Sequence, residues 1–413
     1  MGVLFDGIKK LPAEHVGMEK ELLLQWMAES QMLEKANVRL NDTAIQVSEW
    51  FRKKGFRTCI LKGQGNALMY PNPYSRTPGD IDVWIHASRE RIIEYASKKF
   101  ELEDDIRLQH LETSLDGVPV ELHFFPCSMN NPIYHARLQK WFRRNADLQC
   151  SHIVGLPDGA GDIAIPTTAF NVIYQLMHLY HHFFDEGIGM RQIIDYFLVV
   201  NDFSKNVFLN NDLSNPSVNF SNHPVPLSKE GSTFSPSPSS SGSGDVTAPS
   251  WCSEPLRSKD GGPSKVSPNC AGWDRRGVSG DTGSVSCSSA STTDSSASTA
   301  LDVVQRELKY LELWKFARAV MYVLHEALGL SEEKMIAPMD EKRGKLLLAE
   351  ILNGGNFGKH FTKYGHFTQQ GMAKKYFLKI WRNMHFVRYY PAEALSEPIF
   401  RTWHFFWRMK NRK

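Results

Sequence analysis

The sequence lacks the features that identify membrane, secreted and strongly basic proteins. No stretch approaches the roughly 20 consecutive apolar residues of a membrane span, and residues 1–20 contain no apolar core of a signal peptide. The formal net charge is only +3, so no overall basic field indicates a nucleic-acid-binding protein. The six cysteines include no Cys-x-x-Cys pair, which argues against a zinc ribbon or a disulfide framework. These absences predict a cytoplasmic protein with reduced thiols and no transmembrane segment.

Apolar residues make up 42% of the 413-residue chain, which is enough for one large core or two smaller ones. Residues 203–300 are instead rich in Ser, Gly and Pro, a composition that predicts a disordered insertion. Amphipathic helical patterns lie on both sides of it, over 169–183 and 301–324. The simplest interpretation is one helical domain interrupted by a long surface loop, because long loops cost little closure entropy. Two independent domains are the alternative.

The patterns before the insertion predict a small α/β core that follows N-terminal helices. Strands are predicted over 57–62 and 80–85, and a hairpin over 110–115 and 118–124 is joined by an Asp-Gly turn. Helices are predicted over 18–36, 41–54, 64–70 and 88–100. The helix at 41–54 begins with Asn-Asp-Thr, which are residues that cap helix N-termini. The predicted parts are N-terminal helices at 1–55, the α/β core at 56–150, and a helical domain at 151–202 and 301–413.

Acidic residues within the core form a candidate metal site. Asp80 and Asp82 are two apart on a predicted strand, so both carboxylates project from one face of the sheet. Glu121 is the candidate for a third carboxylate because the hairpin can bring it beside the pair. Mg²⁺ binds one or two such carboxylates together with substrate phosphates. An isolated Asp-x-Asp is more often a solvated strand edge or a calcium-like surface site, so its context decides.

The context upstream of the acidic pair favours phosphate chemistry. A strand that ends in Lys62-Gly63 and leads into a short helix places a lysine and backbone N–H groups where phosphates can bind. Arg76, in the loop before Asp80, carries a planar fork of donors that matches phosphate oxygens.

The segment 61–85 resembles the core of the uncharacterised bacterial nucleotidyltransferase family, within the polymerase-beta superfamily. The likeness rests on Lys-Gly, Arg and Asp-Ile-Asp in this order, with Glu121-Leu-His as a third acidic motif. It implies an α+β fold, in which a polymerase-beta-like sheet with flanking helices is followed by a mainly helical domain that contains the insertion. The abortive-infection nucleotidyltransferase toxins are more distantly similar.

The resemblance also implies a reaction, a cofactor and a set of site residues. The reaction is transfer of a nucleoside monophosphate from an NTP to an acceptor, with Mg²⁺ as the cofactor. The residues that would bind the metal and act in catalysis are Asp80, Asp82 and Glu121. The residues that would bind the nucleotide are Lys62, Gly63, Gln64 and Arg76. The acceptor is unspecified and could be a small molecule, RNA or protein.

Two other functions are open. Members of the superfamily usually have Gly-Ser or Gly-Gly after the first strand, whereas this chain has Gly63-Gln64-Gly65. That departure is compatible with a non-catalytic nucleotide-binding or scaffold protein that retains the fold. The other is a nucleotidyltransferase toxin that acts on tRNA or protein.

Three histidines and an Arg/Asp pair in the helical half need separate interpretation. His178, His181 and His182 lack the Glu of a His-Glu-x-x-His zinc motif, so structural roles or substrate contacts are favoured. Arg191 and Asp195 have i, i+4 spacing, which predicts an ion pair, with a phosphate contact by Arg191 as the alternative.

Two segments in the C-terminal part have an unusual composition, one rich in glycine and the other in basic and aromatic residues. The run at 354–358 follows a helical pattern and is favoured as a helix end over a phosphate loop. The basic and aromatic segment 401–413 either packs on the core or makes a peripheral contact with RNA or an anionic membrane surface.

Overall fold

The computed structural model describes residues 2–102, 107–185, 187–212, 299–354 and 372–411. The predicted insertion lies outside these residues from 213 to 298, and so does nearly all of the glycine-rich run at 354–358.

A four-stranded sheet forms the centre of the N-terminal half. Its strands are β1 (Arg57–Leu61), β2 (Ile81–His86), β3 (His110–Leu115) and β4 (Val118–His123). They are arranged in the order β1-β2-β4-β3, with β2 and β4 parallel and the other neighbours antiparallel. The predicted strands and the hairpin are confirmed, and Asp116 and Gly117 supply the two positive φ angles that a tight two-residue turn requires.

The two faces of the sheet belong to two apolar cores, as the alternation of side chains along a strand requires. Ile60, Val83 and Leu122 face the first core, which they share with α2 (Lys20–Lys53) and α4 (Arg89–Lys99). Cys59 and Trp84 face the second core, which they share with α5 (Pro132–Ser151) and the helical half. The sheet is therefore covered on both faces by helices.

One long helix replaces the two helices predicted over 18–36 and 41–54. The helix α2 is continuous for 34 residues, and the prediction of a break before Asn41 is wrong. Thr43, one of the residues that suggested a cap, has its partner within the helix, and Asn37, one turn before Asn41, has partners outside it. Thr43 Oγ1 donates to the Arg39 carbonyl at 2.8 Å, and the Asn37 amide donates to the carbonyls of Tyr74 and Arg76, both at 2.8 Å.

Short elements around the sheet complete the N-terminal half. The helix α1 (Gly2–Ile8) precedes α2, and α3 (Gly63–Ala67) follows β1 directly. Ser88 caps α4 as predicted, with its hydroxyl accepting from the Arg91 N–H. A second sheet, of β5 (Ile153–Gly155) and β6 (Asp162–Ala164), lies where only helix was predicted. Its strands have three residues each, which is too short for an alternating pattern to be recognised.

The helical half follows the second sheet. Its helices are α6 (Thr168–Asp185), α7 (Met190–Asp212), α8 (Ala300–Tyr310), α9 (Trp314–Leu328), α10 (Glu341–Gly354), α11 (Met372–Met384) and α12 (Pro391–Asn411). The helix α7 extends past residue 203, where the insertion was predicted to begin. Phe203 is buried and continues the apolar stripe of Tyr196, Val199 and Val200, so packing carries the helix further than composition suggested. The predicted α+β class is confirmed.

Among the described helices, none is both long enough and apolar enough to cross a bilayer.

Candidate functional site

Three carboxylates converge on the two central strands of the sheet, β2 and β4. Asp80 immediately precedes β2, Asp82 lies on β2, and Glu121 lies opposite Asp82 on the parallel neighbour β4. Each offers an oxygen within 4.8 Å of the others. The charge of Asp82, together with burial, raises the pKa of Asp80. The hairpin thus brings Glu121 to the predicted place, and the crowding of like charges favours a bound cation.

The side chain of Lys62 places a positive charge beside the carboxylates. Its backbone has a φ of 53°, and Gly63 after it has a φ of 38°, so the chain turns sharply between β1 and α3. The turn places Lys62 Nζ 2.9 Å from Asp82 Oδ1. Burial alone would lower the pKa of Lys62, but the charges of Asp82, Asp80 and Glu121 raise it. Lys62 is therefore a charged ammonium that offsets part of the acidic cluster.

Gly63 and Gln64 have different surroundings. Gly63 lines the cavity above the carboxylates, whereas Gln64 is 1% exposed and is not among the residues that line it. The site of a Cβ on Gly65 would be 3.1 Å from the Ile165 side chain. The unusual Gly-Gln-Gly turn therefore reflects packing of α3 against the segment after β6.

Arg76, the predicted phosphate contact, is tied to Asp195. Its Nε and Nη2 lie 3.0 and 2.8 Å from the two Asp195 carboxylate oxygens, and the Tyr70 hydroxyl donates to the same carboxylate at 2.7 Å. All three side chains are buried. The predicted pairing of Arg191 with Asp195 is wrong, because the planar fork of Arg76 matches both carboxylate oxygens better than a neighbour on the same helix can.

Arg191 faces the cavity instead. Its Nη1 donates to the Pro78 carbonyl at 3.4 Å, and both Nη atoms lie close to Gly79, next to Asp80. Its buried Nε has no hydrogen-bond partner among the described residues. The guanidinium of Arg191 therefore has N–H donors beside the acidic cluster that the described residues do not satisfy.

Two histidines adjoin the carboxylates. His123 Nε2 lies 3.0 Å from Asp82 Oδ1 and 3.0 Å from Glu121 Oε2. Burial alone would lower the pKa of His123, but hydrogen bonds and charges of these two acids raise it to about 9. His110 lies opposite His123 on β3, and burial lowers its pKa to about 4. The sequence interpretation gave neither a role, although the i, i+2 spacing of Glu121 and His123 already placed them on one face.

The histidines of α6 form the far side of the site. His178 Nε2 lies 3.3 Å from Lys62 Nζ and 3.0 Å from His182 Nε2. Burial lowers the pKa of His178, His181 and His182, which keeps these imidazoles neutral near pH 7.

The three carboxylates, Lys62, Arg191 and the histidines line a cavity of about 390 Å³. That volume lies within the range of small-molecule sites, which is roughly 300–1,000 Å³. Both anionic and cationic side chains line it.

The sequence profile of a family described as "Uncharacterised nucleotidyltransferase" matches residues 1–214, just over half of the chain. The chain belongs to this family. The predicted family membership is thereby confirmed.

Other comparisons with known proteins give little more. A solved structure of an antigenic nucleotidyltransferase-like protein from Paracoccidioides brasiliensis is 14% identical to the chain. The similarity covers 42% of this chain and 90% of that protein, with a TM-score of 0.27, a value too low to establish a shared overall fold. No curated protein sequence matches the chain.

Residues outside the matched stretch 1–214 also support the cavity. Asp185, at the end of α6, lines the cavity. Lys379 on α11 and Arg401 on α12 lie 3.0 and 2.8 Å from its Oδ1. The C-terminal helices therefore hold one wall of a cavity whose carboxylate cluster lies in the N-terminal half.

Proposed function

We propose that this chain is a Mg²⁺-dependent nucleotidyltransferase that transfers a nucleoside monophosphate from an NTP to an acceptor in the cytoplasm. The observation that carries the proposal is the convergence of Asp80, Asp82 and Glu121 in a cavity that also holds Lys62 and Arg191. An all-oxygen set of carboxylates suits a hard cation such as Mg²⁺. The raised pKa of Asp80 supports the fit, because a divalent cation would relieve the repulsion that causes it.

The three carboxylates would hold the metal. When bound, Mg²⁺ neutralises phosphate charge and acts as a Lewis acid on the reacting phosphoryl group. Lys62 is the proposed contact to the phosphate that is transferred, because its ammonium already lies beside Asp82. Gly63 lets the backbone approach the phosphates without a side chain in the way.

Arg191 is the proposed contact to the leaving pyrophosphate, since its side chain lines the cavity and its Nη1 makes only a long hydrogen bond, to the Pro78 carbonyl, among the described residues. Arg76 lines the same cavity but is committed to Asp195, so we assign it a positioning role. The pair joins the loop before Asp80 to the helix that carries Arg191. Gln64 belongs to the supporting structure of α3.

Glu121 is the proposed acceptor of the proton from an acceptor hydroxyl, since its carboxylate faces the cavity. The acceptor oxygen then forms a bond to the α-phosphorus while the bond from that phosphorus to the β-phosphate oxygen breaks, and pyrophosphate leaves. His123, whose Nε2 lies 3.0 Å from Glu121 Oε2, limits the directions from which the acceptor can approach.

A peripheral contact by the C-terminal helix belongs to the same proposal. Trp403, Phe405 and Phe406 on α12 are each about half exposed or more. Exposed aromatics in a basic helix suit stacking on RNA bases or insertion at an anionic membrane surface.

The decisive test is Mg²⁺-dependent transfer from α-labelled ATP, CTP, GTP and UTP into a cell extract. Wild-type protein is expected to release pyrophosphate and label an acceptor. Asp82→Asn is expected to lose more than about 100-fold of this activity, since removing a ligand exceeds the effect of removing an outer-shell partner. Asp162→Asn is the matched control, because Asp162 is an exposed aspartate on β6.

Two results would contradict the proposal. Tight NTP binding by calorimetry without turnover of any NTP would favour the non-catalytic alternative. Equal activity of the Asp82→Asn variant would remove the acidic cluster from the chemistry. Growth inhibition on expression that Asp82→Asn abolishes would instead identify the acceptor as a cellular RNA or protein, as expected of a toxin.

A further inference from the structure

We propose that His110, Glu121 and His123 form a separate binding site for a transition-metal ion such as Zn²⁺, next to the all-oxygen site and sharing Glu121 with it. These three residues each offer one ligand atom within 4.8 Å of the others. The inference goes beyond nucleotidyl transfer and does not depend on that activity.

The two distances from Glu121 to the histidine nitrogens match those around a single ion. Metal bonds of about 2.0–2.2 Å place two ligand atoms on one ion roughly 3.0–3.5 Å apart. Glu121 Oε2 lies 3.0 Å from His123 Nε2 and 3.5 Å from His110 Nδ1. The carboxylate oxygen is therefore at ligand spacing from one nitrogen of each ring.

The tautomer of His110 leaves a lone pair aimed at Glu121. His110 Nε2 lies 3.3 Å from Glu112 Oε1, and a carboxylate oxygen only accepts, so the proton of the neutral ring is on Nε2. Arg107 fixes that carboxylate at 2.6 Å. His110 Nδ1 then faces Glu121 Oε2 as a second acceptor, and it has no hydrogen-bond partner among the described residues although His110 is only 9% exposed. A cation between the two atoms removes this conflict.

The same arrangement is typical of histidine ligands. A metal-bound histidine usually donates its other ring N–H to a carboxylate, as His110 does to Glu112. His123 Nδ1 lies 3.3 Å from the Gln109 side-chain amide. A metal-bound His123 carries its proton on Nδ1, so the Gln109 amide has to turn its oxygen toward that nitrogen when the ion binds.

The ligand chemistry distinguishes this ion from Mg²⁺. Two imidazole nitrogens and one carboxylate suit Zn²⁺, Co²⁺ or Fe²⁺, whereas Mg²⁺ prefers oxygen ligands and retains its waters. Since Glu121 belongs to both sets, an ion at the histidines would add a second positive charge beside the acidic cluster.

The test is Co²⁺ binding to the full-length protein in a large excess of Mg²⁺. We expect one equivalent of Co²⁺ to bind, with visible ligand-field absorption and no intense thiolate-to-cobalt band, which excludes coordination by cysteine. His110→Gln is expected to weaken binding by more than the about 10–100-fold typical of losing an outer-shell partner. Asp80→Asn, which removes only the all-oxygen site, and His15→Gln, which removes one exposed imidazole, are expected to leave Co²⁺ affinity unchanged.

A measurement on the wild-type protein gives an answer even if His110→Gln does not fold. Proton NMR of the Co²⁺ form is expected to show two strongly shifted, solvent-exchangeable imidazole N–H signals, one from each ligand histidine. Absence of these signals, displacement of Co²⁺ by Mg²⁺, or equal binding by a folded His110→Gln variant would overturn the proposal. Loss of binding in Asp80→Asn would place the ion at the carboxylates instead. Failure of NTP turnover would leave these outcomes unaffected, so the two proposals can fail separately.

Discussion

At the scale of single residues, two arginines near the acidic cluster have opposite surroundings. Arg76 is 6% exposed and has one edge of its guanidinium, Nε and Nη2, against both oxygens of Asp195. Arg191 makes one long hydrogen bond to a backbone carbonyl and keeps an unpartnered donor at the cavity among the described residues. A buried pair mainly contributes to structure, whereas an arginine with spare donors can bind a ligand.

Substitution of the two arginines by glutamine is expected to separate these roles. Arg191→Gln should raise KM for the NTP by at least about tenfold, because a charge-assisted contact to phosphate contributes about 1.5–3 kcal/mol. Its free energy of unfolding should change by less than about 0.5 kcal/mol. Arg76→Gln should instead destabilise the fold by about 3–5 kcal/mol, since it leaves Asp195 buried without its partner. Steady-state kinetics and urea unfolding of both variants check this, and the opposite pattern would reverse our assignment.

At the scale of elements, sequence patterns located the pieces whose determinants are local. The β3–β4 hairpin follows from two alternating runs around Asp116-Gly117, and α4 follows from the cap at Ser88. The continuity of α2 could not be predicted, because the partners of Asn37 are carbonyls almost 40 positions away. Asn41-Asp42-Thr43 is a local capping signal, whereas the distant hydrogen bonds that fix the unbroken helix come from a different residue and form only in the folded chain.

The contact between α9 and α10 depends on a glycine. A Cβ on Gly344 would lie 2.3–2.4 Å from atoms of Tyr322, so the two helices approach more closely there than any larger residue allows. Gly344→Ala is expected to destabilise the fold by about 1–3 kcal/mol through overpacking.

Gly7→Ala on α1 is the matched control, because nothing lies within 4 Å of its Cβ position. That substitution should be neutral or stabilising by up to about 1 kcal/mol, since alanine favours a helix. Chemical denaturation of both variants gives the comparison, and equal unfolding midpoints would refute close helix contact as the reason for Gly344.

At the scale of the whole molecule, the carboxylate cluster could be predicted but its supports could not. Asp82 and Glu121 fall on strands whose patterns are local, Asp80 comes directly before one of them, and the family resemblance supplied their order. The partner of Arg76 lies 119 positions away, and the residues that hold Asp185 come from the last two helices. Local patterns in a single sequence carry no information about such pairs, because nothing near either residue in the sequence indicates which distant residue it will contact.

A buried acid links α12 to the start of α5 and makes stability depend on pH. Glu393 is 3% exposed and accepts from the backbone N–H groups of Asn130 and Asn131. Burial raises its pKa from an ordinary 4.5 to about 7. A raised pKa means that the folded state binds the proton more tightly than the unfolded state. The resulting stability is complete below about pH 4.5 and is lost as the pH rises through about 7.

Glu393→Gln is expected to flatten this part of the stability profile. The loss in the wild-type protein should be about 3 kcal/mol, from a shift of this size. Glutamine keeps an oxygen acceptor for one of the two N–H groups but cannot ionise. Urea unfolding of both proteins between pH 4.5 and 8 measures the difference, and parallel profiles would show that Glu393 does not titrate in this range.

The parallel pairing of β2 with β4 also determines the order in which the strand pairs form during folding. Strands β3 and β4 are joined by a two-residue turn, and such hairpins form within about 1–10 μs. Asp82 and His123 are 41 positions apart and meet only when β4 has been delivered to the far side of β2. Parallel neighbours need this kind of crossover, and non-local pairings form late. A chain emerging from the ribosome can therefore hold helices and a hairpin well before it holds an assembled acidic cluster, so the capacity for chemistry is among the last properties that folding confers.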